Sequence, residues 1–154
     1  MAHTVETKEL QPQPILSIRA ETTAAEISST LAKILPEVFG YIAETGAQPA
    51  GPPFTRFHYY SPDHVELEGG LPVRKSVFGR GKIQAGELPG GIAAVTWHLG
   101  HYDKLSEAYA ALGAWVKEHG REPVGPPWEV YWTDPGEVKD PAEWKTEVIW
   151  PIRS

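Results

Sequence analysis

The strongest constraint on this chain is a nine-residue signature that occurs twice. Residues 46–54 read Gly46-Ala47-Gln48-Pro49-Ala50-Gly51-Pro52-Pro53-Phe54, and residues 120–128 read Gly120-Arg121-Glu122-Pro123-Val124-Gly125-Pro126-Pro127-Trp128. Both follow Gly-x-x-Pro-x-Gly-Pro-Pro-aromatic. A match of this detail marks two copies of one supersecondary unit. The flanks agree. Each signature follows a helical pattern, and that pattern follows an apolar strand. An aromatic strand comes next, over 54–60 or 128–132. Each copy then turns at a proline, Pro62 or Pro135, and closes on Leu71-Pro72-Val73 or Trp150-Pro151-Ile152.

The first helix is predicted over 24–45, with Ile27, Leu31, Ile34, Leu35, Val38 and Ile42 on one face. Thr22 or Thr23 suits its start, and Glu26 can complete a capping box with Thr23. Pro36 lies inside the pattern and is expected to kink or split the helix. Gly46 is placed to end it. The second helix is predicted over 105–119, with Leu105, Ala108, Tyr109, Leu112, Trp115, Val116 and His119 facing inward, Asp103 near its start and Gly120 at its end. Strands over 15–20 and 92–99 open the two copies, and a further strand over 82–88 is expected to lead into the second. Gly-Pro-Pro sets a fixed-φ, extended entry into each aromatic strand.

Neither copy can bury both its helix stripe and its sheet face alone. The expected fold is α+β: tandem pseudo-twofold β-α-β-β repeats, about 13–74 and 81–153, forming one antiparallel sheet with two helices on one face and a central cleft. With 154 residues the chain fits a single domain.

Three motifs then carry a resemblance: Gly100-His101-Tyr102-Asp103-Lys104-Leu105, Gly125-Pro126-Pro127-Trp128-Glu129-Val130-Tyr131, and Thr146-Glu147-Val148-Ile149-Trp150-Pro151-Ile152. Over nearly its whole length the chain resembles the gyrase-inhibitor-like (GyrI-like) small-molecule-binding domains, also called bacterial effector-binding or SOUL-like domains. The resemblance implies two β-α-β-β units around a cleft that takes hydrophobic, often cationic, aromatic compounds. It implies that Glu147 matches the carboxylate of the family's C-terminal motif, and that Glu129 and Tyr131 match its Glu-x-Tyr. His101 departs from the small residue or proline usual at that position, which bears on the local turn.

A carboxylate in an apolar cleft pairs with a cation or, once desolvated, serves as an acid or base. Glu147 stands beside Val148, Ile149 and Trp150, so it is either the solvent-facing member of an alternating strand, in phase with Lys145, or buried for function. Glu129 poses the same choice. Tyr109, Trp115, Phe57, Tyr131 and Trp97 are further candidates for ligand contact, set against ordinary core packing.

The chain has no cysteine, which excludes disulfides and thiolate chemistry. His98 and His101 lack an obvious third ligand, and His58 and His64 lie in another hairpin, so no metal is expected. Nucleophilic-serine, phosphate-loop and dinucleotide motifs are absent, and no cofactor is expected. A net charge of −6 argues against a nucleic-acid surface, and the segment before the first strand is too short for a helix-turn-helix. No apolar run reaches membrane length and the polar start has no signal-peptide core, so the expected location is the cytoplasm.

Three functions remain open at this stage. The first is a free-standing domain that senses or sequesters hydrophobic, cationic or aromatic compounds. The second is a hydrolase of strained, cyclopropane-type electrophiles, with Glu147 activating water and Tyr109 or Tyr131 assisting. The third is an interaction module acting on a partner such as gyrase. Oligomeric state is left open.

Overall fold

The computed structural model describes residues 3–134 and 137–153. The turn proline Pro135 lies outside the described residues. The elements run β1 Val5–Leu10, β2 Gln13–Thr22, α1 Ile27–Thr45, β3 Phe54–Tyr60, β4 Val65–Pro72, β5 Gln84–Leu88, β6 Gly91–Leu99, α2 Leu105–Glu118, β7 Trp128–Tyr131 and β8 Lys145–Pro151. Short 3-10 turns, Ala24–Glu26 and Tyr102–Lys104, lead into the two α-helices. The protein is α+β, with antiparallel strands and two helices, as the repeat predicts.

The chain divides into two compact units, one comprising residues 12–89 and the other 1–11 with 90–154. In the first, the strands lie in the order β3-β4-β2-β5. Helix α1 packs Ile34, Val38, Tyr41 and Ile42 on Leu16, Ile18, Val65, Leu67 and Leu71. In the second, the order is β1-β6-β8-β7. There α2 packs Leu105, Ala108, Leu112 and Val116 on Ala94 and Val148. Burial of these stripes is the main stabilising term, roughly 1.5–3 kcal/mol per large aliphatic side chain.

The signature has the same structural job in both units. After α1, the Ala50 N–H donates to the Pro72 carbonyl at 2.9 Å and the Arg74 N–H to that of Gln48 at 2.9 Å. After α2, the Val124 N–H donates to the Pro151 carbonyl at 3.0 Å and the Arg153 N–H to that of Glu122 at 2.7 Å. Gly-x-x-Pro thus pins the segment leaving each helix to the end of its unit's last repeat strand. Gly46 and Gly120 turn the chain out of the helices at φ 74° and 61°, where a side chain would be strained.

Four expectations change. Helix α1 is not split at Pro36, which lies inside one run from Ile27 to Thr45; packing of the stripe on β2 and β4 outweighs the one hydrogen bond that proline removes. The Thr23–Glu26 capping box does not form, because Thr23 makes no side-chain cap bond. The hydroxyls of Ser29 and Thr30 instead donate back to the Glu26 carbonyl. The strand at 84–88 forms and the chain runs from it into β6, but it pairs within the first unit, with β2, Gln13 opposite Leu88. Residues 5–10, within the polar start to which no strand was assigned, form β1 on β6, Val5 opposite Thr96. Both β1 and β5 are edge strands with mostly exposed residues, and they lack the apolar run that marks an inner strand. Among the described residues, no helix is long and apolar enough to cross a membrane.

Candidate functional site

The β6-β8-β7 ladder determines which side chains can meet. Residues directly opposite across antiparallel strands share a face, and successive residues alternate. Glu129 is opposite Val148, which packs under α2. Glu147 is opposite Val130 on one side and Trp97 on the other. The two glutamates therefore project from opposite faces of the same sheet.

Glu147 is buried, 6% exposed, so the solvent-alternation reading fails while its in-phase neighbour Lys145 is exposed. Its Oε2 is 2.8 Å from Lys8 Nζ, and its Oε1 accepts from Trp132 Nε1 at 3.1 Å. Trp97 and Trp132 lie tilted, with ring centroids 6.0 Å apart. Lys8 Nζ stands 5.5 Å and Lys145 Nζ 4.9 Å from the Trp97 ring, both within cation–π range. A buried carboxylate beside two indoles, one of them half exposed at 51%, can hold an organic cation or a flat ring.

On the α2 face, Glu129 is buried and accepts two phenols, Tyr109 Oη at 2.7 Å and Tyr131 Oη at 2.6 Å. Burial pushes its pKa above the ordinary carboxylate value, and the two hydroxyls pull partly against this. Burial and the Glu129 charge hold the Tyr109 phenol well above its ordinary 10. Tyr102 extends the cluster, 5.6 Å from the Tyr131 ring and 4.8 Å from that of Trp144. Burial and Glu129 raise the Tyr102 pKa too. This arrangement ties α2 to β7 through a buried carboxyl that accepts two phenols.

Of the residues singled out in the sequence, Glu129, Tyr109 and Tyr131 come together, as do Glu147 and Trp97. Tyr109 does not meet Glu147: the pairing expected for hydrolysis is separated by the sheet, because strand parity puts the two on opposite faces. Trp115 packs against the α2 core and stacks on His119 at 4.2 Å. Phe57 belongs to the other unit, where it packs against the α1 core and meets Tyr60 edge-on at 6.4 Å. His101 serves as a turn residue, its Nδ1 accepting from the Asp103 N–H at 3.1 Å.

Sequence reading missed Lys8, Lys145 and Trp132, and it missed Glu68. Glu68 precedes Pro72 by four residues, as Glu147 precedes Pro151. Its Oε1 is 2.8 Å from His58 Nε2, and its Oε2 accepts from Ser17 Oγ at 2.6 Å. His58 follows its signature's aromatic residue by four, as Trp132 does. Both copies thus carry a Glu held by an aromatic-ring nitrogen, and the spacing Glu-x-x-x-Pro was the available signal.

His98 bonds to His3 at 3.1 Å and to the His101 carbonyl at 3.0 Å, and His58 is paired with Glu68. Among the described residues, Glu21, His64 and Glu66 bring three ligand atoms within 4.8 Å of one another on a largely solvent-facing part of the surface.

A family model described as the GyrI-like small molecule binding domain matches residues 3–153. The C-terminal domain of EcmrR is 26% identical with a TM-score of 0.91, covering 100% of this chain and 99% of that one. EcmrR in a DNA complex matches at 25% identity and a TM-score of 0.89, covering 100% of this chain and 59% of that one. The expectation of no direct nucleic-acid contact is therefore not borne out among relatives, EcmrR being found in a complex with DNA. SAV2435 bound to tetraphenylphosphonium shares the fold at 12% identity and a TM-score of 0.67, covering 100% of this chain and 95% of that one. A search of curated proteins returned no match. The repeated signature, the Glu-x-Tyr strand and the terminal Thr-Glu strand agree with the family match over almost all of the sequence: this chain belongs to the GyrI-like small-molecule-binding domain family.

Proposed function

We propose that the domain binds hydrophobic aromatic compounds, organic cations among them, through the Glu147 face of its second copy, and so senses or sequesters them. The observation that carries this reading is the buried Glu147 carboxylate set between Trp97 and Trp132. An indole offers about 0.5–2 kcal/mol to a cation over its face, and a buried carboxylate adds attraction that bulk water cannot screen. The family assignment supports ligand binding in general, and the tetraphenylphosphonium complex of SAV2435 supplies a probe. In a calorimetric titration with tetraphenylphosphonium, wild-type protein should bind in the micromolar range. Glu147→Gln should weaken binding at least tenfold, about 1.4 kcal/mol. Equal affinity in the two proteins overturns the assignment of Glu147.

A hydrolytic reading draws on a different group. Glu129, with its raised pKa and two phenols, has the make-up of a general acid or base. Mass spectrometry after incubation with cyclopropane-type electrophiles tests it. Turnover by wild type that Glu129→Gln abolishes supports this reading, and unchanged substrates refute it.

A further inference from the structure

We propose that Lys8 is a specificity-determining residue that acts as a tethered stand-in for the cationic ligand, so that an organic cation binds by displacing it. The inference rests on the reading that the Glu147 face takes the ligand. Its own observation is that one ammonium makes both contacts such a cation would make: Lys8 Nζ lies 2.8 Å from Glu147 Oε2 and 5.5 Å from the Trp97 ring centroid.

The tether is built to release. The Lys8 backbone is fixed in the β1 ladder opposite Ala93. Strand β1 is the edge strand of its unit, and the Lys8 side chain is 38% exposed while that of Glu147 is 7% exposed. The four-carbon stem can therefore swing its charge into water without breaking a backbone hydrogen bond. Glu147 cannot follow, and once Lys8 leaves it is a buried carboxylate in need of a cation. A neutral ring gains nothing from this exchange, because it cannot replace the ammonium. A permanent cation with aromatic surface gains both the carboxylate and the indole. Lys8 thus sets an affinity threshold that favours bulky lipophilic cations over neutral aromatics and over small ammonium ions.

The magnitude follows from population arithmetic. If Lys8 holds Glu147 about nine-tenths of the time, a competing cation sees about one-tenth of the sites open, and its apparent affinity falls about tenfold. Removing the charge while keeping the stem lifts that penalty. Lys8→Met should bind tetraphenylphosphonium about tenfold more tightly than wild type, whereas Lys8→Arg, which keeps a cation, should not. An unchanged or weaker Kd in Lys8→Met overturns the proposal. A loss on Glu147→Gln combined with no gain on Lys8→Met refutes the role of Lys8 alone. No loss on Glu147→Gln in either background refutes the reading of the site itself. A second measurement needs no variant. Acetylation of Lys8 by acetic anhydride, followed by peptide mass spectrometry, should speed up when wild-type protein is saturated with tetraphenylphosphonium. A rate that stays the same or falls counts against displacement.

Discussion

Removing one phenol from Glu129 should destabilise the protein in a way that depends on pH. Consider Tyr131→Phe, which deletes the hydroxyl 2.6 Å from Glu129 Oε2 and leaves the ring. A hydrogen bond to a charged acceptor contributes roughly 1.5–3 kcal/mol when its loss leaves the acceptor buried. For a chain of this size that corresponds to a fall in melting temperature of roughly 4–10 °C. The full loss applies only while Glu129 is ionised. Its pKa in the folded protein already lies above the 4.5 it would show unperturbed, first because of burial, with the two phenols opposing. A raised carboxyl pKa means that the folded state holds its proton longer than the unfolded state. Stability from this group is then fully present below about 4.5 and is lost as pH rises through the folded value. Deleting a phenol removes a force that lowers that pKa, so it enlarges the loss on the alkaline side. Urea unfolding of wild type and Tyr131→Phe at pH 4.5 and pH 8 provides the assay. The difference between the two proteins should be small at the acid end and reach the full figure at the other. Equal differences at both ends would refute the claim that a buried ionised Glu129 depends on Tyr131.

Tyr109→Phe should behave like Tyr131→Phe, and the double variant should lose less than the sum, because a carboxyl without donors stays protonated instead; a double-mutant cycle at pH 8 measures this. Glu68→Ala should destabilise the protein by about 1–3 kcal/mol, because the His58 ring and the Ser17 hydroxyl lose their shared partner; an unchanged urea midpoint contradicts the pairing. Gly70→Ala should be strongly destabilising, by about 1–3 kcal/mol or more, because an added Cβ would stand 2.1 Å from the Leu16 carbonyl oxygen across the β2-β4 ladder; a near-neutral melting temperature would show that the strands can part there.

The repeated signature determined a great deal by itself. Gly-x-x-Pro-x-Gly-Pro-Pro fixes backbone angles through residues with restricted or unusual φ, and such local constraints do not wait for distant partners. Both helices and the inner strands follow from it and from the apolar spacing around it, while the order of the strands in the sheet came from the structure. The edge strand β1 escaped notice and the partner of β5 was not foreseen, since pairing on one side only asks little of a sequence. The site divided along the same line. Glu147, Glu129, Tyr109, Tyr131 and Trp97 were legible as residue types in an apolar setting. Which of them touch was decided by sheet register, where a single step along the chain moves a side chain to the opposite face. That step puts Tyr109 with Glu129 and leaves Glu147 to Trp97 and Trp132. Only the folded sheet brings Lys8 to Glu147, across 139 positions of sequence. No local pattern encodes that ion pair, because it depends on long-range strand pairing.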